Sequence, residues 1–213
     1  MDIYASDDEK GEEIKQWWRD NGRSVIIACV ATALAVFGGR YWVDYKSTQA
    51  LKASHAYQQV SRALANGDSI TAAAASDNLF TDFSTSPYSI FSAFDMASNA
   101  VKNNDNAAAQ TYLNWVVSNA DLSAHKELAQ LRLAQVLFLD SKFDEALLLA
   151  DKASSGAFSS LWSELKGDIY IEQAKPDQAR TAYQQALFTI KQGEPRQQIL
   201  QIKLDDVVAS NNG

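Results

Sequence analysis

The chain has 213 residues, a net charge of −7 and a single cysteine, Cys29. The negative balance disfavours binding to the phosphate backbone of nucleic acids, and one cysteine excludes an intramolecular disulfide. The length allows one domain of ordinary size with a buried core.

Residues 1–23 form an acidic tail, with seven acidic and four basic side chains. Within it, Ile14, Trp17 and Trp18 fall on one face of a helix. Such a face is typical of an amphipathic segment that lies at a membrane interface.

Residues 24–43 form an apolar stretch that a single charged residue, Arg40, interrupts. A helix rises 1.5 Å per residue, so this stretch would cover about 30 Å, the thickness of a hydrocarbon core. It is therefore predicted to be a transmembrane helix. Aromatic rings flank it on both sides, and an arginine near its end can extend its charge to the interface. The predicted interface anchors are Trp17, Trp18, Arg40, Tyr41 and Trp42.

A cleaved signal peptide is the alternative interpretation of this stretch. Its uncharged part, residues 24–39, is short enough for the apolar region of a signal. However, a signal peptide begins with a short basic region, whereas the tail here is long and acidic. The pattern therefore favours a retained anchor.

The charges around the stretch favour a cytoplasmic N-terminus only slightly. Lys15, Arg19 and Arg23 precede it, and Arg40 and Lys46 lie at or beyond its end. By the positive-inside rule we expect the tail in the cytoplasm and residues 44–213 across the membrane, although charge alone leaves the opposite orientation open.

Small residues recur every four positions within the predicted span, at Ala31, Ala35 and Gly39. This spacing lets a second transmembrane helix pack closely, so these residues are candidates for helix packing. In a span so rich in alanine, chance gives the same pattern about as readily.

The remainder of the chain is predicted to be all-α. Alanine, leucine, glutamine and lysine dominate, and no sustained run alternates apolar with polar residues. Turn-forming residues stand about a helix length apart. They lie at 67–68, 86–87, 103–105, 121–123, 141–142, 155–156, 175–176 and 193–195.

Two segments of this region resemble each other at an offset of 33 residues. The first contains Leu133, Ala134, Leu137, Phe143, Ala146 and Ala153; the second contains Lys166, Gly167, Tyr170, Pro176, Ala179 and Ala186. The period and the alternation of small and bulky residues are those of tetratricopeptide repeats. Weaker copies are predicted around Met96–Leu113 and Tyr57–Ala75. We therefore expect a solenoid of helical hairpins, with a generic helical bundle as the alternative.

A solenoid of this kind has a concave face, lined mainly by the first helix of each hairpin, that binds extended partners. In the two clearer repeats the residues predicted to project there are Leu131, Gln135, Phe138, Glu164, Asp168 and Ile171. For each of them, burial against a neighbouring repeat or an ordinary solvated position is the competing interpretation.

The sequence contains no pattern of catalytic or metal-binding residues. His55 and His125 stand alone, without a second histidine or a cysteine at metal-ligand spacing. Nucleophile elbows and phosphate-binding glycine loops are also absent from the sequence. We therefore predict a protein that is not an enzyme and needs no cofactor.

Several segments together resemble the YfgM-type ancillary subunits of the SecYEG translocon. They are Ile3-Tyr4 with the acidic tail, IKQWWRDNGR at residues 14–23, GGRYW at residues 38–42 and the repeat at residues 167–186. The resemblance extends over essentially the whole chain, and its N-terminal part is the more specific.

The resemblance implies a bacterial inner-membrane protein with a cytoplasmic N-terminus and a periplasmic repeat domain. It implies association with the SecYEG translocon and with a membrane-anchored periplasmic chaperone of the PpiD type. Such proteins are thought to help pass exported proteins, which are possible clients, to the periplasmic chaperone network.

A regulatory adaptor is the alternative function. In that case the acidic tail at residues 2–20 would hold a cytoplasmic signalling protein at the membrane, while the repeat domain senses the state of the envelope.

Overall fold

A computed structural model describes residues 7–152, 158–191 and 193–210. The predicted all-α fold is confirmed: the described residues form helices and turns, without a strand. Three features of the sequence interpretation lie outside these residues, namely Ile3-Tyr4, the repeat position Ala153 and the predicted breaker at 155–156.

The chain divides into two compact units, Met1–Lys52 and Ala53–Gly213. The first unit contains most of helix α1, which begins at Asp7 and ends at Ala65. Over residues 10–52 its side chains are almost all exposed, Gly22 being the buried exception. Helix α1 is long and apolar enough to cross a membrane. Exposed apolar side chains along such a helix suit a lipid environment.

The second unit contains the end of α1 and eight further helices within the described residues. They are α2 (Ser69–Asp82), α3 (Pro87–Lys102), α4 (Asn106–Asn119), α5 (Ser123–Leu139), α6 (Phe143–Lys152), α7 (Ser159–Glu172), α8 (Pro176–Thr189) and α9 (Arg196–Ser210). Pro87 and Pro176 each occupy the first position of a helix, where the missing N–H costs nothing. Pro195, also expected inside a first turn, lies directly before α9.

The same turn joins the helices of four successive hairpins. Its left-handed residue is Gly67, Asn104, Ser141 or Ala174, with φ between 56° and 73°. These positions are 37, 37 and 33 residues apart. In each turn the next N–H bonds back to a carbonyl five residues earlier, as in Asp68 to Ala63 (2.9 Å) and Lys175 to Tyr170 (2.8 Å). The period read from the sequence is thus present in the backbone.

Apolar side chains fill the spaces between neighbouring helices. The largest cluster of buried residues extends from α3 to α7 and includes Leu113, Leu131 and Ile169. A second cluster joins the end of α1 to α2 and to Met96 of α3. A third joins α8 to α9 through Tyr183, Leu200 and Val207. Each helix therefore packs mainly against its neighbours along the chain, as in a repeat protein.

Candidate partner-binding surface

Four of the six residues predicted to lie on the concave face meet in one groove. Helix α5 supplies Gln135 and Phe138, and α7 supplies Glu164 and Asp168. Together with Leu139, Leu161, Leu165 and Arg196 they line a cavity of about 350 Å³, which we call the α5–α7 groove.

The other two predicted residues do not line this groove. Leu131 is 2% exposed and belongs to the largest core cluster. Its assignment to the concave surface is therefore wrong, because α5 packs against α3, α4, α6 and α7 and keeps little free surface. Ile171 is 41% exposed and lies near the end of α7, outside the groove.

The acidic side chains of the α5–α7 groove are ion-paired with helix α9. Glu164 accepts hydrogen bonds from Arg196 Nη1 at 2.8 Å and from Lys203 Nζ at 2.9 Å. Lys203 Nζ also donates to both oxygens of Asp168, at 2.8 and 2.9 Å. The side chains of the two acids are only 16% and 28% exposed. They do not form an ordinary solvated face.

These contacts change the protonation equilibria of the groups that face Asp168. Burial raises the pKa of the Tyr183 phenol, and the hydrogen bond that its hydroxyl donates to Asp168 adds to the shift. Burial alone would lower the pKa of Lys203, but its hydrogen bonds with Asp168 and Glu164 outweigh that effect and the pKa is raised. Lys203 therefore stays charged, and the main work of the two acids is to hold α9 in place.

The sequence contained a signal for this clamp that the analysis of repeats missed. Arg196 and Lys203 are seven positions apart and so share one face of a helix. Glu164 and Asp168, four positions apart, do the same on α7. Two cations and two carboxylates at such spacings indicate that α7 and α9 pack through these faces.

A second groove lies on the other side of α5, against α3. Its cavity measures about 300 Å³ and has an apolar floor that includes Val101, Leu113 and Val136. Two cations, Lys102 and Arg132, also line it. We call this cavity the α3–α5 groove. Sequence reasoning missed it, because the repeat that contains α3 departs from the period of 33 residues.

The two grooves adjoin each other. Gln135 and Leu139 of α5 line both cavities. These residues are one helical turn apart, so they form a ridge between the grooves. Leu139 is 58% exposed on this ridge.

An aromatic cluster extends the same series of helices toward the end of α1. The Tyr57 ring lies 5.8 Å from that of Tyr88 and 6.2 Å from that of Phe91, measured between centroids. His125 contacts the rings of Phe91 and Phe94 at 6.1 and 6.5 Å. His125 therefore packs among aromatic rings, whereas His55 is exposed.

The candidate residues of the first unit are all exposed on α1. They are the packing residues Ala31, Ala35 and Gly39 and the anchors Trp17, Trp18, Arg40, Tyr41 and Trp42. Lys46 Nζ lies 5.2 Å from the centroid of the Trp42 ring, a cation–π contact. The ring of Trp18 packs against Gly22, where a Cβ would come within 3.3 Å of it.

The described residues offer no site for a metal ion. Among them, no group of three or more histidine, cysteine, aspartate or glutamate side chains is placed to bind one. What the fold and its grooves define is a repeat protein with surfaces for other macromolecules.

Comparison with known proteins agrees with this class. Residues 15–209 match the tetratricopeptide repeat-like domain, and the chain belongs to this family. It is also similar to three proteins named ancillary SecYEG translocon subunit. The protein of Haemophilus influenzae is 25% identical over 97% of this chain and 100% of its own length. That of Aggregatibacter actinomycetemcomitans is 28% identical over 97% and 100%. That of Escherichia coli is 25% identical over 86% and 88%.

These similarities confirm the resemblance inferred from the sequence. They cover the apolar part of α1 together with the repeats, and the names of the family and of the relatives point to a non-catalytic protein. One apolar helix near the N-terminus fits a single-pass membrane protein.

Proposed function

We propose that this protein is a non-catalytic scaffold, anchored in the bacterial inner membrane at the SecYEG translocon. It helps exported proteins pass to the periplasmic chaperone network. The observation that carries the proposal is the similarity, over 97% of the chain, to two proteins named ancillary SecYEG translocon subunit.

In this proposal residues 1–23 lie in the cytoplasm, residues 24–43 cross the membrane and residues 44–213 form the periplasmic repeat domain. The basic residues Lys15, Arg19 and Arg23 before the span support a cytoplasmic N-terminus. The contact between Lys46 and Trp42 supports an interface at the far end of the span.

The tether itself supplies much of the mechanism. A repeat domain held within a few nanometres of the translocon has a high effective concentration there, so weak contacts with exported chains suffice. The same tether brings it close to a membrane-anchored chaperone of the PpiD type. No covalent step is needed, and the grooves beside α5 provide the contact surfaces.

Co-purification tests the association. Affinity-tagged full chain is solubilised from native membranes in mild detergent, in parallel with a chain that lacks residues 2–23. We expect both to retain the SecYEG subunits and the periplasmic chaperone. The proposal is wrong if the full chain retains neither. Loss of a cytoplasmic signalling protein alone from the truncated chain would favour the adaptor function.

Protease protection tests the topology. In spheroplasts, added protease should digest the repeat domain and leave a fragment that contains the N-terminal tail. Carbonate washing should leave the intact protein in the membrane pellet. Protection of residues 44–213 from the protease would contradict the proposed orientation.

A further inference from the structure

The α3–α5 groove combines an apolar cavity with two cations that have no acidic partner. Neither Lys102 nor Arg132 forms an ion pair within the described residues, and no aspartate or glutamate lines the cavity. This contrasts with the α5–α7 groove, where both acids are paired with cations of α9.

The charge of this groove is opposite to that of its surroundings. Residues 53–213 contain 18 acidic and 12 basic side chains. Two cations beside a cavity without acids therefore form a local site for an anion in an acidic domain.

The guanidinium of Arg132 is held in place before any ligand arrives. Its Cζ atom lies 5.0 Å from the centroid of the Phe94 ring, and Phe94 is 8% exposed. Stacking on a buried ring limits the motion of the side chain, while Arg132 keeps part of its surface exposed. A planar guanidinium fixed in this way suits a carboxylate, which it can bind through two parallel hydrogen bonds.

The cavity beside the cations has room for one large apolar side chain. Its volume is about 300 Å³, about twice that of an engineered protein cavity that holds benzene. Ala97, Val101, Leu113 and Val136 provide apolar atoms along its wall.

The ridge of α5 favours an extended chain as the ligand. Neighbouring helix axes are about 8–10 Å apart, a distance that an extended chain covers in about three residues. Across the ridge, the Gln135 amide can bond to main-chain groups, and Arg196 and the carboxylates of the α5–α7 groove add further polar atoms. An acyl chain would gain little from these polar groups.

We propose that the α3–α5 groove binds an extended peptide segment in which an acidic residue stands next to a bulky apolar one. The apolar side chain enters the cavity and the carboxylate binds Arg132 and Lys102, while the next residues cross the ridge at Gln135. This ligand class deepens the proposed function and rests on it, because it describes what the scaffold would hold in exported chains or in a chaperone.

Fluorescence polarisation with full chain in phosphatidylcholine nanodiscs tests the proposal. The probe is a labelled Gly/Ser peptide with one central Leu-Asp pair, and its controls carry Leu-Asn or Ala-Asp instead. We expect saturable binding of the first peptide and at least fivefold weaker binding of both controls. Equal affinity for the Leu-Asp and Leu-Asn peptides would overturn the proposal.

Substitutions locate the site. Arg132→Gln and Lys102→Gln should each weaken binding of the Leu-Asp peptide by about tenfold, as expected for a charge-assisted hydrogen bond. Arg132→Lys should weaken it less. Lys152→Gln is the matched control, since Lys152 also lies in the last turn of a helix, on α6 and outside both grooves. Unchanged binding in the Arg132→Gln and Lys102→Gln chains would overturn the proposal.

Two further measurements separate the competing explanations. Dodecanoate is added as a competitor; if it binds with the same dependence on Arg132 while the peptide does not bind, the groove is a lipid site and the proposal is wrong. A photoreactive residue at Ser98, which is exposed in the groove, should crosslink to the Leu-Asp peptide. SecYEG co-purification is measured on the same variants. Retained co-purification without peptide binding would reject only this inference, and the reverse would reject only the scaffold.

Discussion

The ring of Tyr183 occupies the space into which a Cβ at Gly167 would project. Its hydroxyl donates a 2.7 Å hydrogen bond to Asp168 Oδ1, on the residue that follows Gly167. Asp168 in turn accepts from Lys203 of α9. One glycine thus permits the close approach of α8 to α7, and the aspartate beside it links both helices to α9.

Gly167→Ala should lower the free energy of unfolding. Alanine gains about 1 kcal/mol in helix propensity, but inserting a methyl group into a packed site costs about 1–3 kcal/mol. The new atom would overlap the Tyr183 ring, which cannot move away as a flexible chain would. We expect a net loss of about 1–2 kcal/mol, measured by chemical denaturation of the full chain in detergent.

A double variant checks the cause of this loss. In a Tyr183→Ala background the methyl group has room, so the further cost of Gly167→Ala should nearly vanish or change sign. Strictly additive effects of the two substitutions would show that the Tyr183 ring is not what excludes a side chain at residue 167.

The sequence predicted those features that depend on local pattern. The apolar stretch, the helix boundaries and the Gly167–Ala186 repeat follow from spacing within one or two turns of helix. The α9 clamp and the α3–α5 groove depend on contacts between distant segments, as between Lys203 and Glu164. Leu131 shows the limit on one helix: its spacing fits a surface position, and only the number of helices around α5 determines that it is buried.

Lys203→Met should destabilise the docking of α9. Asp168 would lose its cation while remaining partly buried, and an unpaired carboxylate in such a site is costly. Because the pair is partly open to solvent, we expect a loss of about 1–2 kcal/mol and faster hydrogen exchange in α9. Arg180→Met is the matched control, since its pair with Asp177 is exposed and should contribute less than about 0.5 kcal/mol. Equal losses in the two variants would contradict the clamp.

The repeat unit should lose stability at alkaline pH. The folded pKa values of Lys203 and Tyr183 lie above their ordinary values of 10.5 and 10.0. The stability that each contributes is therefore fully present below about pH 10 and is lost as the pH rises toward the folded pKa. Melting temperatures measured from neutral to strongly alkaline pH should fall above that point. Tyr183→Phe together with Lys203→Met should make the fall shallower, and an unchanged slope would assign it to other groups.

Ala174→Gly should stabilise the repeat unit, although glycine usually weakens helical proteins. Ala174 has φ of 56°, in the left-handed region that side chains with a Cβ disfavour. Glycine occupies the equivalent position 67 in the first hairpin. Removing the Cβ should raise the free energy of unfolding by about 1 kcal/mol, measured by chemical denaturation.

The matched control for this turn is Ala74→Gly, at an exposed position inside α2. There the backbone is helical, so glycine should lower the free energy of unfolding by about 1 kcal/mol. The same substitution thus has opposite signs at two sites because the turn residue requires a positive φ and the helix residue does not. If both variants were destabilised alike, the left-handed turn would carry no strain, and the repeated turn geometry would not explain the periodicity of the chain.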